Sequence, residues 1–111
     1  MAYSEALAER IRAVLAGRDG VTERKMFGGV GWMINGNMAC GTAGDDLMVR
    51  LAPDDGDRSL EEPGARLMEM GKRTMRGFLA VDAAVIADDG ELDRWVQRGV
   101  AHAETLAPKY R

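Results

Sequence analysis

The chain has 111 residues, of which 46% are hydrophobic, 30% are charged and 5% are aromatic, and its formal net charge at pH 7 is −3. This is the length of one ordinary domain, so we expect a single domain over residues 1–111 with one core. The acidic balance argues against non-specific binding to nucleic acid or to anionic lipid, although a local basic patch is compatible with it.

The first predicted element is a helix from about Ser4 to Ala16. Its apolar side chains recur on one face, Ser4 is placed to cap it, and Gly17 is placed to end it. Beyond Gly17 the periodicity becomes alternating, with short runs separated by glycine, asparagine and aspartate, which is typical of a β-meander. The predicted strands are Val21–Phe27, Val30–Ile34, Asn37–Thr42 and Leu47–Leu51.

Turn signals separate these strands. Asn35-Gly36 lies between two apolar runs and predicts a type I′ hairpin turn, in which both central residues have positive φ. The stretch "PDDGDRSLEEPG", residues 53–64, is polar and contains two prolines. It predicts a surface connection with a turn or two of helix around Ser59–Glu62.

The C-terminal half contains two further strands and one long helix. The strands are predicted at Ala65–Met70 and Met75–Val81, with the basic turn "GKR" between them. The helix is predicted from about Asp89 to Ala107, with Asp88 as its cap and Glu91 as the capping-box partner. This order predicts an α+β fold, an antiparallel β-meander sheet flanked by N-terminal and C-terminal helices.

The glycine-rich stretch from Met26 to Asp46 does not fit a nucleotide-binding motif. In the dinucleotide fingerprint G-x-G-x-x-G, Ile34 stands where the third glycine belongs, and a hairpin follows instead of a helix. "GKRT" likewise departs from the P-loop, because Arg73 replaces the residue that binds magnesium. We interpret most of these glycines as turns, bulges or close contacts, and Gly28-Gly29 as requiring positive φ or close packing.

Cys40 is the only cysteine and His102 the only histidine. A thiol and a base are the components of a nucleophilic site, but a lone cysteine in an alternating strand is usually a small buried hydrophobe, and we favour that interpretation. One histidine, one cysteine and scattered carboxylates make no transition-metal ligand set, so neither a metal nor a cofactor is expected.

The export signals that a sequence can carry are missing as well. Charged residues interrupt the apolar residues of the N-terminus, unlike the continuous apolar segment of a signal peptide. No apolar run is long enough to span a bilayer. We therefore expect a cytoplasmic protein that does not associate with membranes.

The basic residues give the most specific candidate for a binding site. Three predicted strand ends carry them, and these ends could gather positive charge on one side of the sheet. The candidate binding residues are Arg24, Lys25, Lys72, Arg73 and Arg76. The competing interpretation is that they are solvated hairpin ends, and direct nucleic-acid binding is not expected because it needs a larger basic surface.

Three blocks of the sequence resemble a known family. They read "RKMFGGVGWMINGNMACGTAGDDLMVRL", "KRTMRGFLAV" and "ELDRWVQRGVAHAETLAPK" and cover nearly the whole chain in order. They are similar to the N-terminal domain of the TfoX/Sxy competence regulators, and especially to its small stand-alone bacterial members. The resemblance implies a compact α+β domain with an antiparallel sheet between N-terminal and C-terminal helices.

The resemblance also bears on function. In the full-length regulators a second, helical domain follows, and the pair promotes transcription of competence genes together with a cyclic-AMP-responsive activator. Because the sequence ends at Arg111, we expect that second domain to be missing here. No catalytic residue carries over from the family.

Two functions therefore stay open. The first is a non-enzymatic regulatory or protein-interaction module, in which sheet edges and methionine-bearing surfaces bind a protein partner such as a transcription regulator, or a second copy in a homodimer. The second is a small-molecule or anion-binding protein, or an enzyme, with a basic-rimmed pocket between the sheet and residues 53–64.

Overall fold

The computed structural model describes residues 3–26, 28–70 and 73–109. The helices are α1 (Glu5–Leu15), α2 (Pro53–Ser59), α3 (Ala83–Ile86) and α4 (Asp89–Glu104). The strands are β1 (Val21–Met26), β2 (Gly29–Ile34), β3 (Asn37–Ala43), β4 (Asp46–Arg50), β5 (Ala65–Met70) and β6 (Arg73–Val81). All six strands form one antiparallel sheet in the order β1-β2-β3-β4-β6-β5, which confirms the predicted α+β class.

The predicted caps and the predicted hairpin turn are confirmed. The Ser4 side chain accepts a hydrogen bond from the Leu7 amide at 3.1 Å, and the Asp88 side chain accepts one from the Glu91 amide at 2.9 Å. Asn35 and Gly36 have φ values of 52° and 85°, the two left-handed conformations that a type I′ turn requires.

Two helical predictions need correction. The helix of the 53–64 connection lies at Pro53–Ser59, not at Ser59–Glu62, because Pro53 opens it and Asp54 and Asp55 occupy its first turn. The short helix α3 was not predicted, and α4 ends at Glu104 instead of Ala107. The predicted "GKR" turn falls on Gly71 and Lys72, and the predicted first strand ends at Phe27, all outside the described residues.

The core lies on one face of the sheet, where α1 and α4 pack against it. Strand residues alternate between the two faces, so this face receives every second side chain of the central strands. The largest fully buried side chains are Trp32, Trp95, Ile11, Ile34, Leu47, Leu79, Ile86, Leu92, Val30, Val49, Val81 and Val96. Helix α4 approaches β3 very closely, because a Cβ built on Gly99 would lie 2.3 Å from the backbone oxygen of Ala39.

Helix α2 packs against strand β6 at Gly77, a residue with a left-handed backbone conformation. Gly77 has φ +89°, and its backbone oxygen accepts a hydrogen bond from the Leu51 amide at 2.8 Å. A Cβ built on Gly56 of α2 would lie 2.9 Å from the Gly77 Cα, so helix and strand meet backbone to backbone. The contact between these two glycines lets α2 dock closely on β6.

The second face of the sheet carries the methionines. Met48 is paired with both Gly41 and Ala80, Gly41 with Gly31, and Met38 with Met33, so these residues share the face opposite the core. We call this surface the methionine face. It holds all six methionines whose side chains the structure describes: Met26, Met33, Met38, Met48, Met68 and Met75.

Candidate functional site

A glycine floor runs across the methionine face. Gly31 of β2 and Gly41 of β3 are paired, and Gly29 lies two residues before Gly31 on the same face. Gly29 and Gly41 have no room for a larger residue, since a Cβ on Gly41 would lie 2.7 Å from the Val30 oxygen and one on Gly29 would lie 2.6 Å from the Thr42 Oγ1. These contacts leave a strip of bare backbone at the centre of the sheet.

Methionine side chains surround this strip. A Cβ built on Gly31 would lie 2.8 Å from the Met38 Cε and 3.2 Å from the Met26 Sδ, so both side chains occupy the space above Gly31. A Cβ built on Gly41 would lie 3.1 Å from the Met48 Cε. The methionines that cover the glycines therefore come from β1, β3 and β4.

The result is a cavity of about 130 Å³, which we call the methionine cavity. Its lining is Met26, Gly28, Gly29, Val30, Gly31, Met38, Thr42, Ala43, Gly44, Met48 and Met68. This lining includes no charged side chain, and its one hydroxyl, that of Thr42, accepts a hydrogen bond from the Val30 amide at 3.0 Å. Flexible, polarizable methionines adapt to the shape of what they contact, as at promiscuous binding surfaces.

Among the predicted basic residues whose side chains the structure describes, Arg24 and Lys25 lie far from Arg76. Arg24 and Lys25 lie on β1, at one edge of the sheet, and Arg76 lies on β6, with three strands between them at roughly 4.8 Å per strand. Arg76 is also committed to two carboxylates of α2, with ion pairs to Asp54 at 2.9 Å and Asp57 at 2.8 Å. Lys72 and the side chain of Arg73 lie outside the described residues. A binding role for these five residues stays a prediction.

Arg24 has a different basic neighbour. It lines a depression of about 700 Å³ with Lys109 and Met33, which we call the Arg24–Lys109 groove. In the part of the chain that the structure describes, neither cation forms an ion pair with a carboxylate, and no carboxylate lines the groove. The C-terminal segment reaches this position because the Lys109 amide donates to the Asn35 oxygen at 2.7 Å.

The basic residues of α4 are used for packing instead. Arg94 and Arg98 both form ion pairs with Glu62, at 2.8 and 2.9 Å, and both stack on the ring of Trp95. Burial raises the pKa of Glu62, but the hydrogen bonds from the two arginines outweigh it and leave the pKa below its ordinary value. Glu62 thus attaches the segment after α2 to α4.

Cys40 lies in the core and has no geometry for catalysis. Its side chain is fully buried, and burial raises its pKa to about 12, so the thiol is protonated at neutral pH. His102 lies in a separate cleft of α4, beside Leu51 and Arg98, and burial lowers its pKa. The prediction that Cys40 is a buried hydrophobe is confirmed.

Neither a metal-binding cluster of histidine, cysteine and acidic residues nor a membrane-spanning helix is present in the described ranges. They contain no group of three histidine, cysteine, aspartate or glutamate side chains that could hold a metal ion. Their helices include none that is both long enough and apolar enough to cross a membrane.

The glycines of this floor are evident in the sequence, whereas the cavity above them was not predicted. The signal was present as alternation, since "GVGWM" and "MACG" place small residues and methionines at alternate positions. Recognising it required the register that pairs Gly31 with Gly41 and Gly41 with Met48.

Fold and surface together define a class, an α+β domain whose antiparallel sheet is packed by helices on one face and lined with methionine and glycine on the other. The chain belongs to the TfoX N-terminal domain family, whose family model matches residues 13–103. At the level of the family it is a competence-regulator-like module. Comparison with curated proteins and with solved structures gave no match.

Proposed function

We propose that this chain is a non-enzymatic protein-interaction module with a regulatory role, and that the methionine face is where its partner binds. The observation that carries the proposal is the distribution of apolar residues on the sheet. One face is buried under α1 and α4, whereas the other concentrates six methionines around a floor of glycines.

The chemistry of this face suits a protein partner. Methionine offers apolar area and a soft sulfur without a fixed shape, which is the character of surfaces that repack against varied segments. The glycine floor lets a partner's side chains approach the backbone closely. Membership of a family that is not a known enzyme family supports a binding role over catalysis.

The test is a disruption of this face with a matched control. Replacing the half-buried Met38 or Met68 by lysine puts a charge on the methionine face at positions where its amine can still reach water. Leu60 is 36% exposed and lies outside this face, so Leu60→Lys makes the same chemical change elsewhere.

We expect the wild-type chain and Leu60→Lys to capture the same partner from extracts of the native cell, or to form the same dimer on size exclusion with light scattering. Met38→Lys and Met68→Lys should lose at least tenfold in affinity while keeping their circular dichroism spectrum. Equal binding by all four proteins would contradict the proposal, as would a monomer that recovers no partner.

A second candidate function, anion binding, is favoured by the Arg24–Lys109 groove. Two cations without carboxylate partners in the described chain face a depression large enough for a small phosphorylated molecule. We expect phosphate, pyrophosphate or a nucleotide to raise the melting temperature, and Arg24→Gln to remove that rise. Lys25→Gln, one residue away and outside the groove lining, is the control. No rise at millimolar ligand would count against this candidate.

A further inference from the structure

The methionine cavity is lined by thioether sulfur, a type of metal ligand that the sequence-based prediction of no metal site did not consider. That expectation considered histidine, cysteine and carboxylate ligands, and none of these lines the cavity. Four thioether side chains do: Met26, Met38, Met48 and Met68.

These side chains belong to four strands and line one cavity, and the ends of three of them, Met26, Met38 and Met48, lie over the paired glycines Gly31 and Gly41. The floor beneath them is Gly29, Gly31 and Gly41, so no Cβ from β2 or β3 separates Met26 from Met38 or Met48. Met26 Sδ and Met38 Cε both lie within 3.2 Å of the Cβ position above Gly31. Methionine has three rotatable side-chain bonds, so its sulfur can turn into a space of about 130 Å³.

The donor set selects the ion. Thioether sulfur is soft and neutral, and among biological metals it selects Cu(I), whereas Mg²⁺ and Ca²⁺ require oxygen and Zn²⁺ prefers thiolate, imidazole and carboxylate. An uncharged cavity also suits a monovalent ion better than a divalent one, because the desolvation penalty rises with charge.

We propose that the methionine cavity binds one Cu(I) ion through the thioether sulfurs of Met26, Met38 and Met48, with Met68 on the same lining. The cavity has room for the ion and for the movement of the methyl groups, and its rim at Gly28 and Gly44 is exposed, which gives the ion a way in from solvent. This inference does not rest on the proposed interaction with a protein partner.

The first test is an anaerobic titration of the intact chain with Cu(I) in competition with a chromogenic Cu(I) chelator. We expect one equivalent to be withdrawn from the chelator. Methyl spectra of the chain labelled with ¹³C-methyl methionine should then show shifts for Met26, Met38, Met48 and Met68, with Ag⁺ as a redox-inert substitute giving the same pattern. Met33 and Met75 lie on the same face outside the cavity lining, and their methyl signals should stay in place.

Matched variants distinguish Cu(I) binding in the methionine cavity from binding by other sulfur atoms of the protein. Met38→Leu and Met48→Leu keep the side-chain volume but remove the sulfur, and each should weaken Cu(I) binding at least tenfold. Met75→Leu should bind like the wild type. Cys40→Ala removes the only thiol and should retain the binding and the methyl shifts.

Several outcomes would overturn the inference. They are failure to compete with the chelator, shifts spread equally over all methionine methyls, and full binding by the Met38→Leu, Met48→Leu double variant. Loss of binding in Cys40→Ala without loss of fold would also overturn it. The wild-type methyl spectra need no variant, so the inference stays testable if a substitution prevents folding.

Discussion

Gly99 of α4 lies directly against the backbone oxygen of Ala39 in β3, with 2.3 Å between that oxygen and the position a Cβ would take. Ala39 is the extra residue of β3 where the register with β2 shifts, between the pairs Trp32–Cys40 and Met33–Met38. The bulge and the glycine are therefore complementary, and they allow the C-terminal helix to approach the sheet closely.

We expect Gly99→Ala to lower the free energy of unfolding, although alanine is the better helix former. A methyl group at this position forces α4 away from β3, and overpacking of a tight core costs roughly 1–3 kcal/mol. Urea denaturation followed by circular dichroism measures the change. Gly90→Ala is the matched control in the first turn of the same helix, where the nearest atom to the new Cβ is a side-chain oxygen of Asp88, at 3.1 Å, and not a backbone atom. An unchanged midpoint for Gly99→Ala would contradict the packing described here.

Glu23 gives the stability a defined pH dependence. It accepts two hydrogen bonds from Arg12 at 2.8 Å and one from the Trp32 Nε1 at 3.0 Å, and the bonds from Arg12 are the largest cause of its lowered pKa. A lowered pKa contributes stability that is present above the unfolded value, about 4.5, and is lost as the pH falls through the folded value.

Glu23→Gln keeps one oxygen that can accept from Trp32 and from the Arg12 Nε. It removes the charge and replaces the oxygen that accepts from the Arg12 Nη2 with an NH2 group. We expect it to cost roughly 0.5–1 kcal/mol at neutral pH, since the pair is about one-third exposed. The difference from the wild type should shrink below about pH 4.5. Unfolding curves of both proteins at a series of pH values test this, and a difference that does not change with pH would rule out the ionic contribution.

The Cys40 thiol should be unreactive in the folded protein. It is fully buried and its pKa is raised to about 12, so both access and thiolate are lacking near pH 7. Labelling with a disulfide reagent should proceed only at the rate of unfolding, and it should become immediate in guanidinium chloride. Rapid stoichiometric labelling of the native chain would show that the core is open at this position.

Substitutions of Gly28 and Gly29 should lower the stability of the fold by different amounts. Gly28 has φ +74°, so alanine there costs about 1 kcal/mol, and asparagine, which tolerates the left-handed region, costs less. A Cβ built on Gly29 would lie 2.6 Å from the Thr42 Oγ1 and 3.0 Å from the Thr42 backbone oxygen, so alanine there displaces backbone and costs more. Thermal unfolding of Gly28→Ala, Gly28→Asn and Gly29→Ala should show this order. Equal losses for both glycines would contradict it.

Local chemistry was enough to predict much of the fold. Asn35-Gly36 specifies its turn by conformation alone, and Ser4 and Asp88 cap their helices through hydrogen bonds within three residues. The burial of Cys40 could also be predicted locally, because alternation along β3 determines which face of the sheet a residue lies on.

What could not be predicted depends on contacts between distant parts of the chain. Pro53 and the two aspartates after it mark the start of α2, but the contact of Gly56 with Gly77, which docks this helix on β6, is not visible in residues 53–64 alone. The separation of Arg24 from Arg76 follows from the strand order, which local periodicity does not determine. The methionine cavity likewise exists only once the register places Gly31 beside Gly41.

The insertion of β6 between β4 and β5 also sets an order of assembly. Strands β1 to β4 pair with their neighbours in sequence, so short loops close each hairpin, whereas Leu47 pairs with Val81 across α2 and the whole β5–β6 hairpin. Because a long segment must be closed before β4 and β6 can pair, loop-closure entropy makes this pairing the slowest in the sheet to form. We expect two preformed units to dock there late in folding, and native-state hydrogen exchange to show the amides between β4 and β6 opening before those between β2 and β3.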